Sequence, residues 1–169
     1  MFGIAAGSFA EYATARDDKI ALKPANLSFE QAATVPTSCF AALQALRDKG
    51  EVQPGQKVLI IGAGGAVGSF AVQIAKAFGA HVTGVCSMSK VDLVRSIGAD
   101  DVIDYTRDDF AMSGQRYDLI LDTAGAVRCH SSGALSRPKE PSSSSEKKGA
   151  GGGSGASIAT FGRPCCHRS

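Results

Sequence analysis

The chain has 169 residues, of which 44% are apolar, with 18 Lys and Arg, 16 Asp and Glu, five Cys and no Trp. No stretch approaches the roughly 18 apolar residues of a membrane span, and the cysteines show neither a C-x-x-C pair nor a disulfide framework. Residues 126–169 hold seven basic and two acidic residues and residues 1–125 hold 11 and 14, so the net of +2 divides into +5 and −3, and the basic balance makes no case for nucleic acid.

The opening MFGIAAGSFAEYATA has no basic start and is interrupted by Glu11, so it does not read as an export signal. Only Cys39 and Cys86 precede residue 126, and unpaired cysteines make a reducing cytoplasm the expected compartment. Residues 57–82, KVLIIGAGGAVGSFAVQIAKAFGAHV, carry the strongest local signal. Val58 to Ile61 is an apolar run suited to a parallel strand buried on both faces, and Val67, Phe70, Ala71, Ile74, Ala75 and Phe78 recur at helical spacing. Gly79 stops the helix, and HVTGV supplies a second strand.

The glycine turn between strand and helix has to be read in register. A G-x-G-x-x-G starting at Gly62 fails because position 67 is Val; starting one residue later gives Ala63-x-Gly65-x-x-Gly68, with Ala in place of the first glycine. In that register Gly65 lets the backbone approach a pyrophosphate and Gly68 allows close helix–strand packing. The unpaired N–H groups and positive dipole end of the helix would face whatever lies above Gly64 to Ala66, which is what a diphosphate requires. The plainer alternative is a tight turn in an unrelated α/β fold.

The end of the second strand bears on the type of nucleotide. An NAD site usually places an acid about 20 residues past the glycines, whereas an NADP site removes that charge and offers a cation to the 2′-phosphate. Here VCSMSKVDL has no acid before Asp92, Ser87 and Ser89 can donate hydrogen bonds, and Lys90 is placed to pair with a phosphate, so NADPH is the expected cofactor. Lys90 also fits the plainer role of a solvated lysine in the first turn of the next helix.

Farther along, KVDLVRSIGA predicts a short amphipathic helix ended by Gly98, DDVIDY a short strand, and RYDLILDTAG a strand with a turn at Gly125. Strands alternating with helices predict a doubly wound parallel sheet of the Rossmann type, whose ligands bind beyond the carboxyl ends of the strands. Tyr105, ending the third of these strands, would lie against an adenine face or serve as a partly buried sheet-edge tyrosine.

In order along the chain, GSFAEYATA, KPANLSFEQAATVPTSCFAALQALRD, VQPGQKVLIIGAGGAVGSFAVQIAKAFGA and SIGADDVIDYTRDDF resemble the medium-chain dehydrogenase/reductase superfamily, and within it the zinc-independent, NADPH-dependent quinone oxidoreductase branch. The likeness runs from about Phe2 to Gly125. It implies an NADPH-binding sheet beside a GroES-like β domain, a homodimer, and hydride transfer to a quinone or an activated alkene (an enone). Position by position, it puts Ala63, Gly64, Gly65, Ala66, Val67 and Gly68 on the pyrophosphate, Lys90 on the 2′-phosphate, Tyr105 against the adenosine, and Thr37, at the start of the helix after TVP, near the nicotinamide. Thr37 also suits simple helix capping. This branch commonly has glycine where the chain has Ala66, so a methyl group is expected to crowd the diphosphate.

No acid–base dyad and no catalytic residue transfers from the resemblance, since hydride transfer of this kind needs mainly orientation of cofactor and substrate. No metal is expected, because Cys165, Cys166 and His167 make a poor tetrahedral set. A zinc-type alcohol dehydrogenase relative would carry its ligands largely in a region outside this chain.

The resemblance implies residues 1–28 as a remnant of the GroES-like domain and 29–125 as an incomplete NADP-binding domain, while composition sets 126–169 apart as a low-complexity, disordered tail. The tail has ten Ser and seven Gly, a composition that cannot bury a core. Codons for residues 134–147 can be chosen so that, read two bases later, they spell A-L-T-P-K-G-T-L-V-I-V-G-E, which resembles the family's next proline turn, strand and glycine loop. A frameshift is therefore expected, the alternative being a true flexible linker. The sheet would then expose an apolar edge beyond Asp122, and the helix face at Phe40 to Leu46 would be partly bare. Three outcomes fit this reading: a weakly active reductase, a nucleotide-binding-only module, and a non-functional product.

Overall fold

The computed structural model of the chain describes residues 1–108 and 115–125, and the backbone of three two-residue strands beyond them. At the start, β1 (Phe2–Gly3) and β2 (Ile20–Ala21) pair antiparallel as a small sheet of their own. A helical run follows from α1 (Phe29–Thr34) through a wide π turn (Val35–Cys39), α2 (Phe40–Leu43) and a second π turn (Gln44–Lys49). Ser28 starts it with a capping box: its hydroxyl accepts the Gln31 N–H, and the Gln31 side chain accepts the Ser28 N–H. Pro36, buried in the first π turn, has no N–H to give, and the helical ladder widens there instead of stopping.

The main sheet is built from β3 (Lys57–Ile61), β4 (His81–Cys86), β5 (Asp101–Asp104) and β6 (Leu119–Asp122), all parallel, with α3 (Ala66–Ala77) and α4 (Val91–Ser96) as crossovers. The order β5-β4-β3-β6 runs outward from β3 and then returns to its other side, so the sheet is doubly wound with its switch point between β3 and β6. Val58 stands opposite Val82 on one side and Leu119 on the other.

Alternation along β3 divides the core. Val58 and Ile60 face Ala71, Val72 and Ala75 of α3, Val94 of α4, and Ala42, Ala45 and Leu46 of the helical run. Leu59 and Ile61 face the other way with Val85, against Ile103, Tyr117 and Ile120. Residues 58–61 are at most 2% exposed, as a central parallel strand requires. Gly79 (φ 80°) and Gly98 (φ 108°) end α3 and α4 in conformations that disfavour a side chain.

Ala42, Ala45 and Leu46 are buried in the main core while Phe40 is 55% exposed, so the helix face from Phe40 to Leu46 is partly bare, as expected. Two expectations change. The helix does not begin after TVP: Thr37 sits inside the continuous run, because Ser28 supplies the cap earlier. Finally, the β6 edge is not open along its whole length. Of the strands β7 (Arg128–Cys129), β8 (Leu135–Ser136) and β9 (Ala159–Thr160), the last pairs antiparallel with Leu121 and Asp122. The expectations of disorder and of a frameshift fall on 126–169, otherwise outside the described residues.

Candidate dinucleotide site

The site is assembled at the carboxyl ends of β3, β4 and β6. Gly62 ends β3 with φ 81°, and its N–H and that of Ala63 both donate to the Val85 carbonyl at 3.0 Å, which ties the turn to β4. From the other side, the Thr123 hydroxyl donates to the Ile61 carbonyl at 2.8 Å and lies 3.3 Å from the Gly62 carbonyl. A Cβ on Gly62 would stand 2.6 Å from that hydroxyl oxygen. Glycine is needed at 62 for both its conformation and its surroundings.

These contacts correct the register. The first-glycine place given to Ala63 belongs to Gly62, while Ala63 is fully buried in the core. A Cβ on Gly84 would come within 3.0 Å of the Ala63 methyl, so position 63 packs against β4 with its side chain turned inward. Gly68 keeps its expected role: a Cβ there would meet the Gly62 carbonyl oxygen.

Gly65, extended at φ −89° and ψ 175°, is the N-cap of α3. Its N–H donates to the Gly62 carbonyl at 2.9 Å, and the Ser69 N–H returns to the Gly65 carbonyl at 2.9 Å as the first helical bond of α3. The amides of Ala66, Val67 and Gly68 precede that bond and have no helical acceptor. No acidic residue occupies the first turn, so the positive end of the helix dipole meets no opposing charge there. Ala66 is exposed at this mouth.

Lys90, the N-cap of α4, reaches back to this turn: its Nζ donates to the Gly64 carbonyl at 2.8 Å. The Ser87 and Ser89 hydroxyl oxygens are 3.2 Å apart in the same loop. Tyr105 follows β5, 46% exposed, and its N–H donates to the Cys86 carbonyl at 3.1 Å, which places it beside the Ser87 loop. Next to it, the Asp104 carboxylate accepts the Thr106 hydroxyl and N–H, and these bonds hold its carboxyl below the usual range. Burial pushes the Cys86 thiol up, and the Asp104 charge adds to the shift.

The structure therefore brings Gly64 to Gly68, Ser87, Lys90 and Tyr105 to one end of the sheet. Thr37 is exposed on the helical run, whose Val35–Cys39 segment packs against α3, and no described hydrogen bond joins it to the turn. Thr123 and Asp122 went unread in the sequence. Asp122 is buried at 4% exposure and accepts the Ala124 N–H at 2.9 Å, shaping the loop from which Thr123 clasps the turn. The available signal was a polar pair directly after the apolar run of β6, at the switch point of the sheet.

A turn that requires glycine at 62 and 68, a helix mouth free of acid and an adjacent lysine suit a dinucleotide. Among the described residues, no group of three or more His, Cys, Asp or Glu side chains comes together, so those residues do not fit a zinc ion. No described helix is long and apolar enough to cross a membrane.

Residues 66–139 match the family model described as zinc-binding dehydrogenase, a match that runs past Gly125. The chain is 40% identical over 126 residues to the mitochondrial NAD(P)H oxidoreductase RTN4IP1 of Mus musculus, covering 70% of this chain and 32% of that protein. It is 40% identical over 121 residues to the 2-methylene-furan-3-one reductase of Solanum lycopersicum, covering 70% and 31%. The solved quinone oxidoreductase from Coxiella burnetii superposes with a TM-score of 0.68 at 37% identity, covering 73% of this chain and 40% of that one. The chain thus spans about a third of the length of the curated relatives it matches.

Proposed function

The chain belongs to the medium-chain dehydrogenase/reductase superfamily, on its quinone oxidoreductase branch, and from that premise we propose that it is the NADPH-binding unit of an oxidoreductase. The observation that carries the reading is the turn from Gly62 to Gly68, closed by backbone contact and opening on the start of α3. The 2′-phosphate preference is supported by the absence of any acid between Cys86 and Asp92, where Ser87, Ser89 and Lys90 stand instead.

In this proposal, Ala66, Val67 and Gly68 amides hold the diphosphate, Lys90 with Ser87 takes the 2′-phosphate, and Tyr105 flanks the adenosine. Thr37 is assigned to the nicotinamide side on the resemblance alone. A bound nicotinamide supplies the hydride; the residues of this chain bind and orient it. Transfer to a quinone or enone, and a homodimer, are proposed for the whole family protein, with residues 1–28 as part of its second domain. The free thiols Cys39 and Cys86 suit a reducing compartment such as the cytoplasm.

Fluorescence titration of the chain with NADPH and NADH tests the binding. A charge-assisted phosphate contact favours NADPH by about tenfold or more. No binding of either nucleotide contradicts the reading, and equal affinity removes the 2′-phosphate assignment. NADPH oxidation with a simple quinone then separates a reductase from a binding-only unit.

A further inference from the structure

We propose that Lys90 is a positioning residue for the glycine turn, tethering the Gly64 carbonyl and so fixing the peptide that leads into α3; this deepens the dinucleotide reading and rests on it. Lys90 Nζ donates to the Gly64 carbonyl at 2.8 Å. The N–H of the same peptide, that of Gly65, donates to the Gly62 carbonyl at 2.9 Å. Both polar atoms of the Gly64–Gly65 peptide are thus held within the protein, and the amides of Ala66 to Gly68 remain for an anion.

The lysine stem is part of the tether. A Cβ on Gly64 would stand 2.6 Å from Lys90 Cδ and 3.0 Å from its Cβ, so the stem lies directly on the turn. A turn with glycine at 62, 64 and 65 has much backbone freedom to lose, and a cationic donor on its middle carbonyl restrains it. The ammonium has three donors, so holding Gly64 leaves others for a phosphate. Placed at the mouth of α3, it also adds its charge to the helix dipole. Lys90 therefore acts on NADH as well as NADPH, through the shape and field of the turn.

The test uses the full chain without nucleotide and the variants Lys90→Ala, Lys90→Met and Lys90→Arg. Amide exchange is read by NMR at Gly65, with Val58 in the core as the control for global unfolding, and each variant is titrated with NADH and NADPH. Loss of the tether raises Gly65 exchange by about fivefold or more, the equivalent of one net hydrogen bond, with Val58 unchanged. It also weakens NADH severalfold, and Lys90→Arg, which keeps a donor, restores both. Should Lys90→Ala not fold, Lys90→Met keeps the stem and removes the donor.

Unchanged Gly65 exchange in the Ala and Met variants overturns the tether. Faster exchange with unaltered NADH affinity overturns the positioning role. NADPH weakened alone, with exchange unchanged, leaves the dinucleotide reading intact and confines Lys90 to the 2′-phosphate. If the unaltered chain binds neither nucleotide, the dinucleotide reading fails and the positioning role fails with it, whatever the exchange rates show of the contact.

Discussion

The Gly62 carbonyl oxygen occupies the space that a side chain on Gly68 would need: a Cβ at 68 would stand 2.1 Å from it and 2.8 Å from Ala63 Cα. Both neighbours are backbone, so neither can swing aside, and α3 would have to move off the end of β3. Overpacking of this kind costs about 1–3 kcal/mol, against a gain of up to ~1 kcal/mol from replacing glycine in a helix. Gly68→Ala is expected to lower the melting temperature by a few degrees and nucleotide affinity by more than about tenfold. Thermal unfolding with an NADPH titration checks it; an unaltered affinity would show that the turn does not hold the ligand.

Thr123 clasps the turn from the β6 side through its hydroxyl to the Ile61 carbonyl, at 2.8 Å. Thr123→Val keeps the shape and removes the donor, which is expected to cost about 1 kcal/mol of stability and to weaken NADPH severalfold. Thr123→Ser keeps the donor and is expected to preserve most of the affinity. Urea unfolding of the two variants, read beside the titrations, distinguishes them.

At the far end of the sheet, Asp100 accepts the Val82 N–H at 2.7 Å and both carboxylate oxygens take Lys76. Burial pushes its carboxyl up, but the hydrogen bonds from Lys76 and Val82 and the charges of Lys76 and His81 outweigh burial and leave it lowered from 3.8. A carboxylate lowered on folding contributes stability that is present above its unfolded value and lost as pH falls through its folded one. The chain is therefore expected to lose stability progressively below about pH 4. Asp100→Asn should be less stable at neutral pH and show a shallower acid dependence, which urea midpoints from pH 3 to pH 7 would reveal.

Ala66 is the first residue of α3 and exposed at its mouth. Ala66→Gly removes a methyl group from the approach to the free amides. It is expected to tighten NADPH severalfold while costing at most about 1 kcal/mol of helix stability. An unchanged or weaker affinity would show that the methyl does not crowd the ligand.

The alternating strands and helices from Lys57 to Asp122 were legible because burial on both faces of a parallel strand leaves an unbroken apolar run, and a one-sided helix leaves a 3.6-residue period. The turn itself was harder. Motif spacing put Ala63 in the first glycine's place, but whether 62 or 63 takes the left-handed conformation is decided by what packs there, namely Thr123 above Gly62 and Gly84 beside Ala63. The resemblance placed a helix start after TVP, at Thr37; a proline absorbed in a π turn reads the same in sequence as one at a helix start. The bond from Lys90 to Gly64 joins residues 26 apart and has no periodic signature.

We propose that the turn between β3 and α3 holds a nicotinamide dinucleotide. The most direct measurement is the backbone amide NMR spectrum of the chain with and without NADPH. Binding at the turn is expected to shift resonances mainly at Ala66, Val67 and Gly68, extending to Ser87, Lys90 and Tyr105, with the shifts abolished by Gly68→Ala. Shifts that spare Ala66 to Gly68, or a spectrum that NADPH leaves unchanged, would contradict it.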